Sequence, residues 1–295
     1  TGFQSARLIQ TEGANTPNDP TDDVFRAATP EDYPGELLIV DQCDPLFLLR
    51  DSSCRSERSE LSSIVGYSFF WDRTNDPIQP TRGFDFRFSQ EAAGLGGDVK
   101  YLRTETSASL YRGIWKDIIA SARFSGGYIF PLEDNQGIRI NNRFFRGGST
   151  FRGFDVAGLG PREIVRVYDP ATGELLSTRR GNSLGGNLYY QGTFELTLPS
   201  VFPEEYGIKS ALFADVGAVG TLRGPDVSPT VYYDPGDGTT AVRLTKDATS
   251  LRASAGLSVF WDSPFGPIRF DFSQILRRED YDRTETFRFS TSTRF

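Results

Sequence analysis

From Ser62 onward the chain alternates. Val65, Tyr67, Phe69 and Trp71 share one parity, and beyond a turn marked by Asn75, Asp76, Pro77, Pro80 and Gly83, Phe84, Phe86 and Phe88 alternate with Asp85, Arg87 and Ser89. A period of two predicts strands that are apolar on one face and polar on the other. The pattern returns over 99–111, where Leu102, Thr104, Thr106, Ala108 and Leu110 oppose Arg103, Glu105, Ser107 and Ser109. It returns again over 117–129, where Ile118, Ala120, Ala122, Phe124 and Tyr128 oppose Ser121, Arg123 and Ser125. Four more strands follow at 185–198, 208–219, 249–261 and 266–276, with Asn187, Gln191, Thr193, Glu195, Lys209, Phe213 and Asp215 on the polar parity of the first two. The last, 285–295, sets Phe287, Phe289 and Phe295 against Arg288, Ser290, Ser292 and Arg294. Nine strands are clear, and residues 3–10 supply a tenth whose two faces look alike.

Alternation alone fits two folds. A soluble sandwich buries the phenylalanines in a core, and a barrel in lipid turns them outward and the charges toward a wet lumen. Strand length favours the second: from 99 onward these segments run 11 to 14 residues, where soluble strands average about 5–6 and tilted membrane strands need roughly 9–11. Connections near 73–82, 112–116, 199–207 and 262–267 are short, and those near 11–60, 91–98, 131–183, 221–248 and 277–284 are mostly longer. Short turns at one end and long loops at the other predict an all-β, transmembrane antiparallel up-and-down β-barrel with periplasmic turns and extracellular loops.

Composition narrows the chemistry. No run of about 18 apolar residues is present, which excludes a transmembrane helix and leaves a barrel open. A net charge of −7 argues against a nucleic-acid partner. With no His and two Cys among 295 residues, neither a metal site nor a catalytic base has its usual ligands, so no cofactor and no enzyme is expected. Cys43 and Cys54, with ten residues between them in a polar stretch, read as one loop-closing disulfide of an oxidising compartment, or as two free thiols of a reducing one.

One segment departs from the alternation. Asn142 to Arg162 reads N-R-F-F-R-G-G-S-T-F-R-G-F-D-V-A-G-L-G-P-R. Its glycines allow positive φ or close backbone approach, and Phe144, Phe145, Phe151 and Phe154 need somewhere to be buried. Arg152, between aromatic neighbours, calls for a carboxylate. Glu195 and Asp215, on the polar parity of adjacent strands, are the candidates.

This segment resembles the sixth-loop motif of the outer-membrane protein assembly factor superfamily, through Gly147, Gly148, Phe151, Arg152, Gly153 and Phe154, followed by Gly158, Gly160, Pro161 and Arg162. G-Y-S-F-F-W-D-R near 66–73, F-A-D-V-G at 213–217, S-P-F-G-P-I-R-F at 263–270 and the terminal Phe295 extend the likeness to the C-terminal part of a BamA-type barrel. The resemblance implies a sixteen-stranded barrel of which this chain supplies nine or ten strands, with the preceding periplasmic POTRA repeats not in this chain. It implies ATP-independent insertion of client outer-membrane β-barrel proteins into the bacterial outer membrane, at a seam formed by the last strand, alongside accessory lipoproteins. It also implies that the 131–183 loop folds into the lumen and docks Arg152 on Asp215 and Glu195, with Arg162 of lesser weight. A polypeptide secretion pore of the same superfamily is the alternative.

Overall fold

The alternating segments become strands because every second side chain finds a cross-strand partner of its own kind. In the computed structural model, residues 9–11, 24–26 and 63–291 are described, the last with short gaps at 78, 95, 97–98, 116–117, 133–137, 170–171, 201–202, 204–205, 223–229, 234–239 and 264–265. Cys43, Cys54 and Phe295, and with them the loop-closing disulfide, lie outside the described residues. Strands β1 (Ile9–Thr11) and β2 (Val24–Arg26) pair with each other. The stretch expected as a tenth wall strand therefore meets a partner from the 11–60 segment, which is not loop throughout.

The chain then meanders through β3 (Ile64–Asp72), β4 (Arg82–Ala93), β5 (Tyr101–Trp115) and β6 (Ile118–Pro131). An excursion carrying β7 (Arg162–Tyr168) and β8 (Leu175–Ser183) leads to β9 (Leu188–Leu198) and β10 (Ile208–Gly220). A second excursion, with β11 (Thr230–Tyr233) and β12 (Thr240–Lys246), precedes β13 (Arg252–Ser263), β14 (Gly266–Arg277) and β15 (Phe287–Thr291). Nine of these form one sheet in the order β3-β4-β5-β6-β9-β10-β13-β14-β15, antiparallel at each step. The protein is all-β, and the sheet has the up-and-down connectivity that the sequence predicts.

Its two faces differ as the parities require. On one, aromatic rings meet across strands: Trp71 with Phe84 at 5.3 Å, Phe124 with Phe194 at 5.5 Å, and Phe272 with Phe287 at 5.2 Å. These rings are largely exposed. The other face bears Arg123, Glu195, Asp215, Ser258 and Asp271. Toward the long-loop ends of the strands, however, Tyr101, Ile129, Tyr189 and Val219 occupy the polar-face parity. There the core forms, as Phe144, Phe151, Phe154 and Leu159 from the first excursion pack onto them.

Neither excursion is wholly loop, a correction to the expectation for 131–183 and 221–248. Strands β7, β8, β11 and β12 make a separate four-stranded sheet in the order β11-β12-β7-β8. The physical reason is local: Ile164, Val165 and Val167 are β-branched strand formers, and the chain reverses between Tyr168 and Leu175 through Asp169 and Gly173, whose N–H donates to the Asp169 carbonyl.

Core and outer-face phenylalanines should respond differently to truncation. Phe154→Ala, at 0% exposed, is expected to destabilise by about 3–5 kcal/mol. Phe272→Ala, at 49% exposed, is expected to lose under ~1 kcal/mol in detergent. The urea midpoint for loss of the folded form checks the order.

Candidate functional site

The first excursion is shaped by backbone that other residues could not adopt. Gly147, at φ 130°, lies so close to Asp155 that a Cβ would stand 2.0 Å from its carbonyl oxygen. Gly153, at φ 87°, sits among the side chains of Ile275, Ser254 and Ser273. Between them the Gly148 N–H donates to the Phe154 carbonyl at 2.8 Å, closing a tight loop. Phe151 and Phe154 pack edge to face at 5.2 Å beneath it, and Gly158, Gly160 and Pro161 are buried as the chain leaves toward β7.

This loop aims Arg152 at the polar face of the sheet. Its Nε and Nη2 donate to the two oxygens of Asp215 at 2.8 and 2.9 Å, its backbone N–H donates to Asp215 Oδ2 at 3.1 Å, and Nη1 donates to Glu195 Oε2 at 2.8 Å. The guanidinium also lies 3.7 Å from the centre of the Phe213 ring. That ring has room because its strand neighbour is Gly256, where a Cβ would press on it at 2.8 Å. Arg152 is 4% and Asp215 1% exposed. Burial works against the charged guanidinium, but the hydrogen bonds and charge of Asp215 and Glu195 prevail and hold its pKa above the ordinary value.

The contacts spread over four strands. Ser254 Oγ donates to the Arg152 carbonyl, Ser258 Oγ accepts from Arg152 Nη1 at 3.4 Å, and the Ser258 hydroxyl donates to Asp271. Arg269 Nε donates to the same Asp271 at 2.8 Å. Residues of β9, β10 and β13 thus converge on one loop cation, with β14 joined behind them through Ser258.

A second clasp went unread in the sequence. Arg252, 0% exposed, donates to Asp282 at 3.0 Å and to the Tyr281 hydroxyl at 3.0 Å, and its Nη1 donates to the carbonyls of Ala248 and Ser250. Asp282 also accepts from the Gly160 N–H at 3.4 Å, so the far end of the motif is held from the β14–β15 connection. R-R-E-D-Y-D-R at 277–283 carries the only hint, and a charged run of that kind reads first as a solvated loop. Arg162 is also buried, donates to the carbonyls of Ala157 at 2.7 Å and Gly181 at 3.1 Å, and has its pKa lowered by burial and by Arg283.

Phe287 and Phe289 lie exposed on the apolar face of β15. Among the described residues, no group of three His, Cys, Asp or Glu side chains could hold a metal. The arrangement is that of a clamp, with a buried cation gripped by two acids.

Residues 9–295 match the Omp85 superfamily domain. The chain belongs to the Omp85 superfamily. It is 32% identical over 241 residues to outer membrane protein assembly factor BamA of Neorickettsia risticii, covering 81% of this chain and 28% of that one. It is 31% identical over 169 residues to the sorting and assembly machinery component 50 homolog of Homo sapiens, covering 57% of this chain and 32% of the relative. The chain therefore spans a third or less of these relatives. The crystal structure of BamA from Haemophilus ducreyi lacking POTRA domains 1–3 superposes with a TM-score of 0.59 at 20% identity, over 77% of this chain and 41% of that one, so the Omp85 domain shares its fold.

In this Omp85 domain the two acids should not be equivalent. Arg152→Ala strands a buried carboxylate and is expected to destabilise by about 3–5 kcal/mol. Glu195→Gln, at a side chain 24% exposed, is expected to lose about 1 kcal/mol. Arg152→Ala/Asp215→Ala should be no worse than Arg152→Ala alone. Denaturant midpoints in detergent of the wild type, Arg152→Ala, Asp215→Ala and the double variant form the cycle, with Glu195→Gln measured beside them.

Proposed function

We propose that this chain is the C-terminal part of an outer-membrane β-barrel assembly factor that folds and inserts client β-barrel proteins without ATP. In this reading the nine-stranded sheet is part of a transmembrane barrel wall, its aromatic face meets lipid, its polar face meets the lumen, and the 139–161 loop docks inside. The carrying observation is Arg152 gripped by Asp215 and Glu195 on the polar face. Accessory lipoproteins and the lipid bilayer are the expected partners, and the bacterial outer membrane is the expected location, with the long loops outside.

The chemistry of insertion is backbone hydrogen bonding. A strand entering lipid must pair its N–H and C=O groups or leave them unsatisfied at several kcal/mol each. A wall that parts at its last strand offers an edge on which the incoming strand completes its bonds. Among the described residues β15 stands at the end of the nine-stranded sheet and pairs with β14 alone, which supports it as the strand that offers an edge. A secretion pore is the rival reading, and it needs an unobstructed polar path where this loop sits.

A photocrosslinking residue in place of Ser290 of β15 in the full-length protein is expected to capture the C-terminal strand of a client during reconstituted assembly in proteoliposomes. Arg152→Ala should slow that assembly at least tenfold. A large, stable planar-bilayer conductance without any assembly would instead support the secretion pore.

A further inference from the structure

The apolar face carries one anomaly. Following the registers from β3 to β15, its positions hold aromatic, aliphatic, small and uncharged polar residues, with three charged exceptions: Arg277, opposite Ala253 at the β13–β14 bulge, and Arg82 and Arg112. Arg277 stands alone at the long-loop end, whereas Arg82 and Arg112 are direct cross-strand partners on β4 and β5. Like charges placed opposite each other destabilise a sheet. Both are exposed, and neither guanidinium has an acidic partner among the described residues. Two unneutralised cations side by side define a place for an anion, and a guanidinium fits phosphate bidentately.

What surrounds them says which anion. Two furrows run along the same face. One, of about 550 Å³, has Ala108 and Ala122 as its floor between Trp71 and Phe124. The other, of about 530 Å³, lies over Ala120 and Ala214 beside Phe194, and Arg112 lines it. Both are bordered by Leu110. The chain's three tryptophans, Trp71, Trp115 and Trp261, stand near the short-turn ends of β3, β5 and β13, and tryptophan gathers where hydrocarbon gives way to headgroups. Arg82 opens β4 and Arg112 lies three residues before Trp115, at that same end.

We propose that Arg82 and Arg112 form the headgroup site of an anionic diacyl glycerophospholipid whose two acyl chains lie in the two furrows. The lipid phosphate bridges the guanidiniums and removes their repulsion, and the alanine floors admit the chains against the wall. A free phosphate ion would leave the furrows empty and has no use for their apolar lining. This inference rests on the membrane reading of the sheet given above.

The full-length protein in detergent, incubated with equal amounts of phosphatidylglycerol and phosphatidylcholine of matched chains, is to be analysed by native mass spectrometry. The wild type is expected to retain one phosphatidylglycerol with roughly tenfold or greater preference, since each cation near a membrane surface contributes to anionic-lipid attraction. Arg82→Gln/Arg112→Gln should abolish the preference, and Arg82→Lys/Arg112→Lys should keep part of it. Ala122→Leu, which fills both furrows, should reduce retention of either lipid. Should the double Gln variant fail to fold, each single variant should lose at least about threefold of the preference. Equal retention of the two lipids by the wild type, or an unchanged preference in the Gln variants, overturns the site. Alkaline washing of wild-type membranes separates the two readings: release of the protein sinks the membrane wall itself, whereas retention without headgroup preference sinks only the lipid site.

Discussion

A guanidinium taken out of water is tolerable only where acids replace the solvent it has lost, and the architecture of this protein follows from meeting that demand at Arg152. Asp215 faces it with both oxygens, and Glu195 takes the remaining fork. The supporting features are arranged to permit that approach. Gly256 leaves space for the Phe213 ring, and Gly153 lets the backbone pass close over β13 and β14. Phe151 and Phe154 bury the loop around the cation. A charge that would be expensive on its own becomes a determinant of where the loop sits, because a shifted loop would leave Asp215 buried without its partner.

The distribution of apolar residues is reversed from that of an ordinary globular sheet. Most of the aromatic side chains of the wall point away from the packed interior, and the interior is built where tyrosine, isoleucine and valine replace polar residues toward the long-loop ends of the strands. The same parity thus serves two chemistries along one strand. On β10, Asp215 belongs to the clasp and Val219, four residues on, belongs to the core.

The sequence made the wall and its clasp legible for different reasons. The nine strands are visible because a period of two is a local property, unaffected by what pairs with what. The approach of Arg152 to Glu195 and Asp215 is visible because the parity already assigns both acids to one face of neighbouring strands. The small sheet was less legible. The β7–β8 hairpin has its signals, with β-branched Ile164, Val165 and Val167 ahead of Asp169 and Gly173, but nothing in that run says that β7 pairs with β12, some seventy residues away. The Arg252–Asp282 clasp was hidden for another reason, since R-R-E-D-Y-D-R has the composition of a solvated loop and its burial depends on tertiary packing. The ribbon of Ile9–Thr11 with Val24–Arg26 was missed because three residues are too few to show a period.

The pairing of β7 with β12, from Arg162 opposite Lys246 to Tyr168 opposite Thr240, couples two excursions that leave the wall at different places. One begins at the motif that holds Arg152, and the other ends at β13, whose first residue is Arg252. A seven-rung ladder joins them, so withdrawing the first would drag the second along or shear the ladder apart. The two excursions are therefore held to each other as well as to the wall, and the clasp at Arg152 and the clasp at Arg252 are tied through one ladder.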